Sequence, residues 1–584
     1  MAEKMIKLKI NNIDVSVPSG TRIYDAARKA GFSIPTLCYL KDVCNDGSCR
    51  ICIVEVKGAK NLVTSCYARV REGMEVFTNT EKVLLDRKIT LELLLSDHSK
   101  DCPSCPRGAT GCELKQLSID NNCDINNYPG AVNNYTKEDT SAYLVRDNNR
   151  CVLCRRCVGM CENIQGVGVI GANKRGFPTE IGCAFESEIK DTACIACGQC
   201  INACPVGALS EKDDTAKVIA AINNPDLHVV VGVAPAVRVA LGEEFGGEIG
   251  KDVEGKMITA LKLLGFDKVF DVTTTADMTI LEEGAELLGR LNDKNAALPL
   301  MTSCSPGWVS YVEYNYPQLI PHLSSCKSPQ QMFGAIIKTY YAKKFHIDPK
   351  KIFVVTVMPC IAKKEELLKG DNAVESLKDV DVSITTRELA KLIKVNSIEF
   401  NKLKNGKWDN PLGTGTTAGL IFGSTGGVCA AAVRTLYEKT NGKPLADLDF
   451  KAVRGEEGIK EATVNLGGKD VNVAVVQTLK MAKKVMDDIA QGKSKYHFVE
   501  VMTCPGGCVN GGGQPIVHSN VVNDHINVAT LRAQAIYAKD KKAKVRKSHD
   551  NEVVATIYKD FLGEVGGHTA HKILHTHYTK RDKY

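Results

Sequence analysis

The sequence predicts an α/β carboxyl-terminal domain built on mainly parallel sheet, preceded by small α+β modules whose cysteines are spaced for metal. Three observations carry this prediction. Beyond about residue 213, short apolar runs of strand length (Val229–Val233, Leu298–Met301, Ile352–Val357, Phe498–Met502) alternate with helical patterns at Met257–Leu264 and Met278–Leu291. Apolar strands alternating with helices form a parallel sheet buried on both faces. Upstream the pattern differs: eighteen of the 24 cysteines lie before residue 205, mostly at two-residue intervals. Finally, Cys304, Cys360 and Cys504 each follow a predicted strand, and ligands of such sheets gather beyond the carboxyl ends of the strands.

A chain of 584 residues is too long for one core and predicts three to four domains. Its 44% hydrophobic and 24% charged residues are ordinary for a globular protein. The start, Met1 to Lys9, lacks the apolar centre of a signal peptide, and no apolar run approaches the roughly 20 residues that span a bilayer. A cytoplasmic protein with no membrane partner is expected. In that compartment so many cysteines imply metal rather than disulfides. The net charge of +7 is scattered over solvated lysines, and no basic-aromatic block points to nucleic acid.

Residues 1–80 alternate in strand fashion at Ile6–Ile10 and Val15–Val17, with a helix at Thr21–Ala30 and a strand at Ile51–Val56. A helix over Glu81–Leu95 opens a second module, 81–125. The stretch Asn121–Asn134, containing Pro129-Gly130, reads as a linker. Residues 126–212 form a third module and 213–584 the fourth.

Cys38, Cys49, Cys52 and Cys66 sit in a loop layout suited to a [2Fe–2S] cluster. Cys44 competes with Cys38, which is favoured because it closes Pro35-Thr-Leu-Cys38. This segment resembles the plant-type ferredoxin domain of complex I-like and hydrogenase subunits; structural zinc is the competing reading. Next come His98, Cys102, Cys105 and Cys112, where the histidine precedes a cysteine triplet lacking a fourth thiolate. The pattern resembles the His/Cys3 [4Fe–4S] site of the same families, although its last loop is one residue longer, and Cys3His zinc is the runner-up.

Two copies of a CxxCxxCxxxC pattern follow, Cys151–Cys161 and Cys194–Cys204, the second closed by Pro205. In the bacterial ferredoxin arrangement the fourth cysteine of each run serves the other cluster. One [4Fe–4S] cluster is therefore expected on Cys151, Cys154, Cys157 and Cys204, and another on Cys194, Cys197, Cys200 and Cys161. Cys123 and Cys183 fit no spacing and read as ordinary small residues.

Thr302-Ser-Cys304-Ser305-Pro-Gly-Trp308, Val357-Met-Pro-Cys360-Ile-Ala-Lys363-Lys364 and Glu500-Val-Met502-Thr-Cys504-Pro-Gly-Gly-Cys508 resemble the three signature motifs of [FeFe]-hydrogenases. The resemblance covers the whole chain and is closest to the monomeric clostridial type and to catalytic subunits of NAD(P)-linked complexes. It implies two mainly parallel sheets flanked by helices, with an H-cluster between the lobes. That cofactor joins a [4Fe–4S] cubane to a di-iron azadithiolate unit carrying CO and cyanide.

By motif position, Cys360 and Cys504 would hold the cubane and Cys508 would bridge it to the iron pair. Lys363 would hydrogen-bond a cyanide. Pro235, Gln330, Met358 and Met502 would line the pocket. Cys304 would pass protons, relayed outward through Glu283, Ser324, Glu286 and Arg290. Glu283, Glu286 and Arg290 lie within two turns on one predicted helix face, so a salt-bridged surface is the plain alternative. Ser305 departs from the family, which has a second cysteine there as fourth cubane ligand. A serine oxygen or an open position ranks first; Cys326, or Cys304 itself, are the other candidates.

The function implied is reversible exchange of H2 with two protons and two electrons. Ferredoxin or a flavoprotein subunit would be the electron partner, and maturation proteins would load the di-iron unit. The rival readings are an electron-transfer subunit of an NAD(P)-linked complex, and an iron-sulfur assembly or sensor protein without a working di-iron site.

Overall fold

A computed structural model describes residues 4–583 except 109–110, 375, 414 and 455–457. At the amino end, a five-stranded sheet carries the helix Ile23–Lys29 on one face. Alternation in Met5–Ile10 and Ile13–Pro18 puts Ile6, Leu8, Ile10, Val15 and Val17 into one core with Tyr24 and Val54. The helix Glu81–Ser96 follows, capped by the Thr80 hydroxyl.

The Asn-rich stretch is not a free linker. Asp124 N–H and the Asn127 amide both donate to Glu92, at 2.9 and 2.6 Å, and Asn133 grips Asp97 through its backbone and side-chain nitrogens. Asparagine favours turns because its short amide bonds to nearby backbone, and here the same chemistry fastens the loop to a helix.

The carboxyl-terminal half holds two four-stranded sheets. In the first, Lys268–Asp271, His228–Val233, Ile352–Met358 and Val382–Thr385 run parallel in that order. In the second, Leu300–Met301, Phe498–Met502 and Lys469–Gln477 are parallel, and Ile459–Leu466 adds an antiparallel edge. Strand ends at Val233, Met301, Met358 and Met502 all deliver their following loops to one region.

Two boundaries differ from expectation. The helix predicted to begin at Met278 begins at Thr273. Threonines are poor helix formers, but Thr273, Thr274, Thr275 and Thr279 are buried, and tertiary packing overrides propensity. The strand predicted from Leu298 is confined to Leu300–Met301, because Pro299 has no N–H to give a ladder.

Candidate active site

A cavity opens where those loops meet. It is lined by Cys304, Ser305, Cys360, Cys504 and Cys508, together with Pro235, Gln330, Met358, Lys363 and Met502. All the pocket residues expected from sequence are therefore brought together. Burial pushes the Cys360 and Cys504 thiols up, toward weaker acidity, and Cys508 up to about 12. Three such sulfurs become thiolates when metal charge compensates them, so the donor set fits an iron-sulfur cofactor.

Trp308 fixes the first loop by donating its indole N–H to the Thr302 carbonyl at 3.1 Å. The loop before Cys508 is held from below. Glu500 is fully buried and accepts the Gly426 and Cys429 backbone N–H groups, each at 2.7 Å. Thr425 N–H in turn donates to the Gly506 carbonyl at 3.2 Å. Burial pushes Glu500 up to about 7, against the pull of those N–H groups.

Lys363 is buried and anchored to Glu366 at 3.1 Å. Glu366 also accepts from Ser328 at 3.0 Å, Gln330 at 2.9 Å and Gln331 at 3.3 Å. The oxygen of Gln330 accepts from Thr356 and Ser383, so its amide is locked on both ends. Sequence reasoning missed Glu366 and Glu500. The only signal for Glu366 was its i,i+3 spacing from Lys363.

Glu283 lies behind Cys304. It is 1% exposed, and its carboxyl is pushed up to about 8, first by burial. Ser303 donates to Oε1 from its N–H at 3.3 Å and its hydroxyl at 3.5 Å; Oε2 is buried without a full hydrogen bond among the described residues, and the Ser324 hydroxyl interacts with the carboxyl more weakly. The Ser324 hydroxyl donates to Glu286 at 2.8 Å, and Arg290 pairs with Glu286 at 2.6 Å. The Glu286–Arg290 half is the expected ion pair, but Glu283 is core, not surface. Burial drives the Cys304 thiol upward, and Glu283 adds to this once it is ionised.

Ser305 places its hydroxyl 3.0 Å from that of Thr503. Cys326, the alternative thiol, is not among the residues lining the cavity; its sulfur faces His575 Nε2 at 4.0 Å.

Upstream cysteines gather as well. The Cys52 and Cys66 sulfurs are 3.2 Å apart, and Cys38 interacts with Cys49. Cys44 turns away, with its thiol on the Cys154 carbonyl at 3.5 Å. His98 is half-buried; desolvation and then Arg150 hold it down to about 4, so the ring is neutral, and its Nδ1 has no partner among the described residues. A neutral, orphaned imidazole nitrogen is what a metal ligand requires. Cys161, Cys194, Cys197 and Cys200 line one cavity, which is the crossed set.

These groups abut. Arg156 donates to the Cys38 carbonyl at 3.4 Å. A Cβ on Gly207 would lie 2.3 Å from the Cys105 sulfur, and one on Gly512 would lie 2.2 Å from the Cys197 carbonyl. Cys197 lines both its own cavity and the one bearing Cys360, Cys504 and Cys508.

Known proteins agree with this geometry. Residues 227–512 match the family description "Iron only hydrogenase large subunit, C-terminal domain", and 526–581 match "Iron hydrogenase small subunit". The chain is 45% identical to the NADP-reducing hydrogenase subunit HndD of Solidesulfovibrio fructosivorans, over 99% of this chain and 100% of that one. The chain belongs to the iron-only, or [FeFe], hydrogenases. Iron hydrogenase 1 of Clostridium pasteurianum is 42% identical over 98% of this chain and 99% of its own length. The solved [FeFe]-hydrogenase HydA1 of Chlamydomonas reinhardtii superposes with a TM-score of 0.56 at 39% identity, covering 62% of this chain and 98% of that one.

Upstream, residues 3–81 match a 2Fe-2S iron-sulfur cluster binding domain. Residues 87–125 match the NADH-ubiquinone oxidoreductase-G iron-sulfur binding region, and 142–210 a ferredoxin-like domain of NADH-quinone oxidoreductase subunit 3. This hydrogenase thus carries [2Fe–2S] and [4Fe–4S] domains ahead of an H-cluster domain. No helix among the described residues is long and apolar enough to cross a membrane.

Proposed function

We propose that this hydrogenase serves one buried site by two routes made from its own side chains. Cys360 and Cys504 would hold the cubane, Cys508 would bridge to the iron pair, and Ser305 Oγ would be the fourth donor. When bound, the H-cluster supplies the metal centre at which H2 is exchanged with protons and electrons. Lys363, steadied by Glu366, offers a charge-assisted hydrogen bond to an anionic ligand. Cys304 would hold a proton next to the reacting centre; Glu283, kept neutral by burial, would exchange it with Ser324 and Glu286, and Arg290, always charged, would hold Glu286 in place at the outer end.

Electrons would follow the abutting groups. The clusters on Cys38, Cys49, Cys52 and Cys66, and on His98, Cys102, Cys105 and Cys112, both lead to the one on Cys151, Cys154, Cys157 and Cys204. From there electrons pass to Cys161, Cys194, Cys197 and Cys200, and then to the cubane. These groups correspond to modules 1–80, 81–125, 126–212 and 213–584. The partner would be ferredoxin or a flavoprotein subunit of an NAD(P)-linked assembly in the cytoplasm, with maturation proteins loading the iron pair. The exposed Cys102 favours a docking place near the second module.

The observation that carries this reading is Cys197 and Cys304 lining one cavity with Cys360, Cys504 and Cys508. Anaerobic EPR and infrared spectroscopy on matured protein test it. CO and cyanide bands are expected, and they should be lost in Cys508→Ala while the four upstream cluster signals stay. Retention of those bands in Cys508→Ala defeats the assignment.

A further inference from the structure

The fold places a second set of proton-carrying groups against the inner half of the proton path. His575 follows the carboxyl-terminal helix His568–Leu574 and makes an isolated bridge with Cys326. Thr576 N–H donates to the Ser325 carbonyl and Lys327 N–H to the Leu574 carbonyl, both at 2.8 Å, so this register is fixed from both sides. The His575 side chain is 6% exposed. Its Nδ1 lies 2.8 Å from Ser325 Oγ, and its Nε2 lies 3.1 Å from Glu282 and 4.0 Å from the Cys326 sulfur.

Glu282 fixes the ring. It is buried and already accepts from the Tyr558 hydroxyl and, at 3.0 Å, from Gly566 N–H. A carboxylate accepts only, so Nε2 carries the hydrogen and Nδ1 is free to accept from Ser325. Cys326 is wholly buried, and its backbone N–H donates to Ser324 Oγ at 3.2 Å. Its thiol also interacts with the Ser324 hydroxyl. Ser324 is the residue at which the path through Glu286 turns inward to Glu283. Glu286 accepts from the Ser324 hydroxyl at 2.8 Å and from Ser325 N–H at 3.2 Å, but the hops from His575 to Ser324 pass through no atom of Glu286 or Arg290.

We infer that Ser325, His575 and Cys326 form a second proton inlet that joins the first at Ser324. The inference rests on the proton path proposed above. Each transfer is a proton hop with no change of oxidation state. The Ser325 hydroxyl, half-buried and refilled by water, gives its proton to Nδ1 of His575. Nε2–H goes to the Cys326 sulfur, whose own hydrogen passes to Ser324 Oγ, and Ser324 delivers to Glu283. Burial keeps Cys326 a thiol, so it relays without holding charge.

Turnover of matured enzyme tests this with Glu286→Ala as background, since that change closes the first inlet. Glu286→Ala is expected to keep a measurable rate. Adding His575→Phe or Cys326→Ala should lower it about tenfold further, the scale of one lost proton-transfer group. Adding Cys326→Ser should leave the Glu286→Ala rate standing, because a hydroxyl relays as a thiol does. Upstream cluster EPR at parental intensity shows that each variant is folded.

An independent reading needs no loaded cofactor. The S–H stretching band of Cys326, assigned by its loss in Cys326→Ala, should shift in His575→Phe. The inlet is overturned if Glu286→Ala/Cys326→Ala turns over as fast as Glu286→Ala, or if the band does not move. Glu283→Gln separates the two proposals: full activity there removes the shared path itself, whereas a slow Glu283→Gln together with no added effect of Cys326→Ala in the Glu286→Ala background removes only the second inlet.

Discussion

Replacing Glu283 by glutamine changes one property, the ability to give up a proton. The carboxyl sits at about 8 in the fold against an ordinary 4.5. At pH 7 about nine in ten copies are therefore protonated, and a neutral acid and an amide have nearly the same shape. Ser303 still finds an acceptor, so the fold should lose less than about 1 kcal/mol at acidic pH.

The pH dependence carries the larger signal. Between 4.5 and about 8 the folded protein holds a proton that the unfolded chain has released, so parental stability falls as pH rises through that window. At roughly 1.4 kcal/mol per unit the upper bound is about 5 kcal/mol, reached near pH 8, and Glu283→Gln lacks this slope. The variant's melting temperature should drop below the parent's, if at all, only near pH 5, and should exceed it increasingly toward pH 8. Turnover should fall by ~10²–10⁴, the usual share of a positioned proton carrier. Thermal scans of cofactor-free protein from pH 5 to 8.5, with H2 evolution on matured protein, measure both. A melting difference that does not change with pH refutes the buried-acid argument, and parental turnover refutes the relay.

Other outcomes follow from the same geometry. With Ser305 Oγ as the proposed fourth donor, Ser305→Cys would exchange a hard oxygen for thiolate and should shift the cubane's EPR signal and potential; an unchanged signal excludes oxygen ligation. Glu366→Ala strands the Lys363 ammonium in the cavity wall and should cost about 3–5 kcal/mol in chemical denaturation, whereas the double change with Lys363→Met should recover most of it. Cys38→Ser should lose the [2Fe–2S] EPR signal and Cys44→Ser should keep it, because Cys44 points at the Cys154 carbonyl.

The parts of this protein legible in sequence are those where chemistry imposes a spacing. Cluster ligands must converge, so Cys194, Cys197 and Cys200 announce themselves, and even the crossing of Cys161 into their cavity follows from the doubled run. The apolar strands were equally plain, since a sheet buried on both faces tolerates little else. The helix start at Thr273 was not, because its threonines are helical only through burial. Glu366, Glu500 and Glu282 were hidden for a related reason. A buried carboxylate is tolerated only with partners, and theirs come from Gly426, Ser328 and His575, far off in the chain. Ser305 showed the reverse case, being conspicuous in sequence and given a definite neighbour, Thr503, only by the fold.

The hydrogen bonds converging on Glu366 mean that the positive charge facing the cavity is already neutralised from behind. A cavity with a bare ammonium would strain to open, draw in water or collapse on a stray anion. This one is in electrostatic balance before its cargo arrives. The polypeptide can then fold, acquire its iron-sulfur groups and wait as a durable receptacle. If an anionic iron pair binds here, Lys363 would share its hydrogens between Glu366 and the newcomer, and the chain would not need to be rescued from instability to receive it.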